Sequence, residues 1–140
     1  MLTNTRIVRV QWGDCDPAGI VFYPRYFEWF DAGTILLFEK ATGMTKIKML
    51  EKYNGAGLAL LEARAVFKVA SHYGEDIDIE TQVAEFRRSS FFVAHKVTKG
   101  GMLALEGFET RLWTTRGPAN PRKIKSATMP PEVLAGFQKT

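Results

Sequence analysis

Residues 22–41 read "FYPRYFEWFDAGTILLFEKA". No proline follows Pro24, and Tyr23, Tyr26, Phe27, Phe30, Thr34, Leu37, Phe38 and Ala41 recur at steps of three and four. That spacing predicts one long helix with a broad apolar face. Phe22, Trp29, Ile35 and Leu36 carry apolar character around the remaining sides, so a central helix, wrapped on several faces, is expected rather than a surface one. Gly43 stands where a C-cap glycine would end it.

Working outward, "MTKIKMLEKYN" (44–54) predicts a second, shorter amphipathic helix, stopped by Asn54 and Gly55. The period then changes. "LALLEARAVFKVA" (58–70), "DIDIETQVAEFRR" (76–88), "SFFVAHKVTKG" (90–100) and "MLALEGFETRLWTT" (102–115) carry alternating or β-rich patterns of strand length. The joints "SHYGE", "RSS" and "KGG" are of hairpin size. Upstream, "RIVRVQW" (6–12) predicts a half-buried strand with Val8, Val10 and Trp12 on one face. The tail from 116 to 140 reads as a Pro-rich basic linker and a short helix beginning at Pro131. The order strand, long helix, short helix, four antiparallel strands predicts an α+β chain in which one sheet wraps one apolar helix. The outer face and edges of such a sheet call for partners, so self-association is expected.

The 140 residues suit a single domain, 1–140, with its core at about 6–115. The formal net charge of +4 suits an anionic partner without choosing one. One cysteine, Cys15, allows neither an internal disulfide nor a thiolate zinc cluster, and a reducing cytoplasm is the expected location. No stretch approaches the length of a membrane span. Metal sites are not expected: "DCD" (14–16) lacks the apolar strand and the downstream acidic pair of a magnesium phosphohydrolase. His72 and His95 stand isolated and read as a loop residue and a strand residue. The absence of an interleaved aromatic and basic stripe argues against nucleic acid.

Between the first strand and the long helix stands "GDCDPAGIVF" (13–22). Pro17 and Gly19 supply turn chemistry, and a carboxylate before a helix meets the positive end of its dipole. Such a carboxylate attacks an activated acyl carbon or steers water onto it, while backbone N–H groups at the helix start, that of Tyr23 among them, stabilise an oxyanion. Taken alone, an aspartate before proline is more often a turn or cap residue.

The strings "GDCDPAGIVFYPRYFEWFDA" (13–32), "YGEDIDIET" (73–81) and "EFRRSSF" (85–91) together resemble the hotdog-fold acyl-CoA thioesterases, in particular the 4-hydroxybenzoyl-CoA thioesterase family. The resemblance covers about residues 6–115. It implies a five-stranded antiparallel sheet around a long helix, assembled as a homodimer with active sites at the seam, and as a dimer of dimers. It implies an acyl-CoA substrate, aromatic or of medium length, with coenzyme A part of the substrate and no cofactor. Asp16 takes the catalytic role, as nucleophile or general base; Asp14 supports the loop. The substrate-binding candidates are Gly19, Asp31 at the acyl-ring end, and Arg87, Arg88 and Ser90 at the CoA phosphates, with Ser89 where the family has a lysine. Arg122, Lys123 and Lys125 are further phosphate candidates. Gly33, costly inside a helix, is explained if the helix packs closely on the sheet. Two alternatives stay open: action on acyl carrier protein, and a non-catalytic acyl-CoA-binding protein.

Overall fold

The computed structural model describes residues 1–138. Its elements run β1 (Thr3–Arg9), a 3-10 turn (Trp12–Asp14), α1 (Pro24–Thr42), α2 (Lys46–Lys52), β2 (Gly55–Phe67), β3 (Asp76–Phe86), β4 (Ser90–Lys99), β5 (Met102–Arg116), β6 (Ile124–Ser126) and α3 (Pro131–Phe137). Every strand pairing is antiparallel, in the order β1-β3-β4-β5-β2. The expected five strands are all present. A sixth, β6, adds to β5 at Thr114–Arg116, just past the point where β4 ends opposite Leu112. The tail read as a linker is therefore partly sheet, because β5 outruns β4 and leaves its backbone groups open to pairing.

Helix α1 lies on the sheet through Tyr26, Phe30, Gly33, Thr34, Leu37, Phe38 and Ala41, the face read from the spacing. Gly43, at φ 69°, ends it in the left-handed conformation. Coverage is one-sided, contrary to the expected wrapping: Phe22, Tyr23 and Leu36 are exposed, since one sheet reaches one side of a helix. Two apolar clusters fill the interface. One gathers Leu37, Phe38, Phe91, Val93, Trp113 and Phe137; the other gathers Val10, Tyr26, Phe30, Ile79, Val97 and Leu105.

Two local readings are corrected. Trp12 is 63% exposed rather than inward, because the chain leaves the strand at Arg9 and turns; Asp14 accepts from the Gln11 N–H at 2.9 Å and closes that turn. The "SHYGE" joint is no hairpin either. β2 pairs with β5, and β3 pairs with β1 and β4, so residues 68–75 cross between non-neighbouring strands. The backbone groups of this crossover are satisfied elsewhere, by the Val21 N–H to Ser71 O bond (2.9 Å) and the Ile20–His72 bridge. Those contacts tie the crossover to the loop that carries Asp16.

Candidate active site

The loop before α1 is itself a small hairpin. Asp16 N–H donates to Ile20 O and Gly19 N–H to Asp16 O, both at 2.9 Å, and Cys15 bridges Val21. Gly19 takes φ 81° at the tip, where an L side chain would be strained. Asp16 Oδ1 accepts from Ala18 N–H at 2.8 Å, which is the turn role expected of an isolated aspartate. Its other oxygen accepts no hydrogen bond from the described residues. Asp16 thus stands eight residues before Pro24, the first residue of α1, rather than on the first helical turn, because the hairpin intervenes.

A cavity of about 410 Å³ opens beside this hairpin, walled by Asp16, Ile20–Tyr23, Tyr26, Phe67 at the end of β2 and the crossover residues Lys68–Ser71. Tyr23 caps α1, and Pro24 follows at the first helical position. The Tyr23 N–H donates to no acceptor among the described residues. An unpaired backbone donor and a carboxylate with a free oxygen consequently share one largely apolar cavity. A low-dielectric setting of this kind strengthens the electrostatic interactions such groups can make.

The remaining candidates lie elsewhere. Asp14 holds the turn through Gln11, and its second oxygen lies 3.8 Å from Arg25 Nε. Burial pushes the Cys15 thiol up, and Asp14 and Asp16 push it further, which disfavours a thiolate. Asp31 does not line the Asp16 cavity and pairs with Arg111 at 2.9 Å. Arg87, Arg88 and Ser90 form the β3–β4 hairpin: Arg87 pairs with Glu85 and stacks over Phe92, while Arg88 reaches Thr128 in the tail at 3.5 Å. Gly19 and these hairpin residues do not line the cavity. Among the described residues, no group of three or more His, Cys, Asp or Glu is arranged to hold a metal ion.

Sequence reasoning missed a buried polar belt. Glu109 accepts from Thr34 (2.6 Å), His95 Nε2 (3.1 Å) and Arg111 (2.7 and 3.1 Å), and Thr81 hydrogen-bonds His95 Nδ1 at 2.9 Å. Burial pushes the Glu109 carboxyl up, but hydrogen bonds from His95 and Arg111 outweigh it and hold the pKa at about 2. For Arg111, burial is outweighed in the same way by Glu109 and Asp31, and its pKa is raised. The available signal was polar residues on the inward phase of their strands: Thr81 between Ile79 and Val83, His95 between Val93 and Val97. Lys68 and Ser71 were missed at the cavity because the crossover was read as a hairpin.

The family profile described as "Thioesterase-like superfamily" matches residues 10–137. The chain belongs to that superfamily. Within it, the chain is 33% identical over 123 residues to the 4-hydroxybenzoyl-CoA thioesterase of Pseudomonas sp. strain CBS-3, covering 84% of this chain and 86% of that protein. The solved structure of the Pseudomonas enzyme superposes with a TM-score of 0.86 at 29% identity, over 96% of this chain and 98% of that one. A gentisyl-coenzyme A thioesterase gives 0.79 at 27% identity, over 97% and 100%. The fold of this superfamily member is the hotdog fold that the resemblance implied, and the chain is a hotdog thioesterase similar to the 4-hydroxybenzoyl-CoA enzymes.

Proposed function

We propose that the protein hydrolyses aromatic acyl-CoA thioesters at the Asp16 cavity. The observation that carries this reading is the pairing there of a carboxylate oxygen free of hydrogen bonds with the unpaired Tyr23 N–H. The Tyr23 N–H receives the thioester carbonyl oxygen as it becomes an oxyanion. Asp16 either attacks the acyl carbon, expelling CoA thiolate and leaving a mixed anhydride for water to cleave, or draws a proton from water as that water attacks. The aromatic rings of Phe22, Tyr23, Tyr26 and Phe67 suit an aromatic acyl group. Similarity to the 4-hydroxybenzoyl-CoA and gentisyl-CoA enzymes supports the same substrate class.

Arg87, Arg88 and Ser90, with the basic tail that β6 brings beside them, take the CoA phosphates; Asp31 takes a ring hydroxyl; no cofactor takes part. The working unit is a homodimer, further paired as a dimer of dimers, in a reducing cytoplasm. Support for association comes from edge strand β2, which exposes Leu60, Leu61, Val66 and Phe67. Among the described residues no helix is long and apolar enough to cross a membrane.

The test is a hydrolysis screen of benzoyl-, hydroxybenzoyl-, phenylacetyl- and straight-chain CoA esters, with acyl carrier protein thioesters alongside. Hydroxybenzoyl-CoA is expected to be preferred, and Asp16→Asn to lower kcat about a hundredfold or more. Near-normal turnover by a folded Asp16→Asn protein would falsify the reading.

A further inference from the structure

Lys99 closes β4 with its side chain only 13% exposed, and a lysine is seldom buried so far without a partner. Its ammonium finds partners on the crossover. It donates to Ala70 O at 2.5 Å and to Glu75 Oε2 at 3.2 Å. Glu75 Oε1 in turn accepts the His72 N–H and faces His72 Nδ1 at 3.1 Å. Partial burial pushes the Glu75 carboxyl up, but the His72 N–H and Lys99 outweigh it and hold its pKa below the usual value. The opposite edge of the same segment carries the Asp16 hairpin. Ser71 O accepts the Val21 N–H at 2.9 Å and the Tyr73 N–H donates to Gly19 O at 3.0 Å, on either side of the Ile20–His72 bridge. Residues 71 and 73 therefore turn their backbone groups to the hairpin, while Ala70 O and the His72 N–H turn to Lys99 and Glu75. Bonds to Ala104 and to Val10 fix the two ends of the crossover; Lys99 and Glu75 grip its middle, where Ala70 and Ser71 wall the cavity.

We propose that Lys99 and Glu75 are positioning residues for hydrolysis: by clamping the crossover they hold the hairpin, and with it the Asp16 carboxylate, in register with the Tyr23 N–H. This inference rests on Asp16 being the thioesterase carboxylate. The path of the effect is a chain of backbone bonds. Lys99 holds Ala70 O, Ser71 O holds the Val21 N–H, and Ile20 O holds the Asp16 N–H at 2.9 Å. Neither Lys99 nor Glu75 lines the cavity, so the pair acts through that chain rather than on the ester. A reacting group displaced by about 1 Å loses up to about a hundredfold in rate, and the loss falls on kcat when binding of the substrate is spared.

The test compares kcat and KM of wild type, Lys99→Met, Lys99→Arg, Glu75→Gln, the Lys99→Met/Glu75→Gln double variant and Asp16→Asn on one aromatic CoA ester, with thermal melts and amide hydrogen exchange of each. Lys99→Met is expected to lower kcat about ten- to a hundredfold, with KM within about threefold of wild type. Lys99→Arg, which keeps a cationic donor, restores much of the rate. Glu75→Gln lowers kcat less, and adds little in the Lys99→Met background. Exchange quickens at the Val21 and Tyr73 amides while β4 and β5 stay protected. A residue that merely stabilises the fold would lower the melts and loosen the whole sheet, without this split between kcat and KM. Unchanged kcat in Lys99→Met, whether or not KM rises, overturns the inference and leaves the Asp16 reading standing if Asp16→Asn is inactive; unchanged kcat in both overturns both. If Lys99→Met does not fold, Glu75→Gln decides: a lowered kcat at constant KM supports the inference, and an unchanged kcat overturns it.

Discussion

His95 Nε2 lies 3.1 Å from Glu109 Oε1, and both side chains are almost wholly buried where β4 and β5 face α1. The pair sits between the two apolar clusters: on β3 and β4 the flanking inward residues belong to one cluster or the other, Ile79 and Val83 around Thr81 and Val93 and Val97 around His95. The His95 ring stacks on Phe30 at 4.5 Å, and Thr81 and Glu109 bind its two nitrogens. With a carboxylate at Nε2, that nitrogen carries a proton. The belt fixes helix register over the sheet, since a one-turn slip would leave several buried polar groups unpaired.

Glu109 gives the belt a pH signature. Its pKa falls from the usual 4.5 to about 2 on folding. A lowered folded-state value means that its contribution is complete above about pH 4.5 and is lost as pH falls toward 2. The shift corresponds to about 3 kcal/mol. Glu109→Gln, which leaves Arg111 buried without its main counter-charge, is expected to be less stable by about that amount at pH 7, with the gap closing on acidification. Urea melts from pH 7 to pH 2.5 on both proteins check it; a gap independent of pH would contradict the account.

Two glycines set how closely α1 approaches the sheet. A methyl at Gly33 would stand 2.7 Å from Thr81 Oγ1, and one at Gly107, opposite His95, would overlap the Phe30 ring. Neither neighbour is free to retreat, because Thr81 bonds His95 and Phe30 is stacked on it. Gly107→Ala is expected to cost about 2–3 kcal/mol through overpacking, despite the better strand propensity of alanine. Equilibrium denaturation measures this; a neutral or stabilised variant would remove the tight-packing explanation.

Much of this fold is legible from pattern alone, for a physical reason. The α1 face repeats with helical period because one side of the helix meets one sheet, and β3 and β4 alternate because one side of each strand is buried. Strand pairing is not legible in the same way. β2 and β3 follow each other through a short joint, yet both pair elsewhere, since the Asp16 hairpin takes up the joint's backbone groups. That one misreading hid the crossover side of the cavity wall, including Lys68 and Ser71. Asp16 itself stood out through an unusual string of neighbours, whereas Glu109 and Arg111 become meaningful only when β4, β5 and α1 converge.

The β3–β4 hairpin carries a separate prediction. Arg88 is exposed, and its contact to Thr128 at 3.5 Å is weak, so the guanidinium is available to a phosphate. Ser89 O accepts the Trp113 N–H at 2.8 Å, which fixes the hairpin backbone beneath it. Arg88→Ala is expected to raise KM for CoA esters about three- to tenfold with kcat nearly constant, and the penalty should shrink in high salt as screening weakens the wild-type contact. Steady-state kinetics at about 0.05 and 0.5 M salt read both effects. A KM indifferent to both the substitution and salt would move CoA phosphate binding away from this hairpin.

Strand β2 carries the last prediction. It runs thirteen residues along the sheet edge, and Leu61 and Phe67 on it are 59% and 53% exposed. Long apolar edges of this kind are normally paired, covered or charged, and β2 also exposes Val66 on the face opposite Phe67. Phe67 also walls the Asp16 cavity, so whatever covers this edge borders the site. Pairing of β2 with its counterpart on a second chain meets both conditions. Leu61→Lys places like charges near the two-fold axis of such a pairing and is expected to shift the protein toward monomer in analytical ultracentrifugation. The fold, held by contacts within the chain, should persist by circular dichroism, while hydrolysis falls with the dimer fraction at each protein concentration. A monomeric variant with full specific activity would mean that the cavity is complete within one chain.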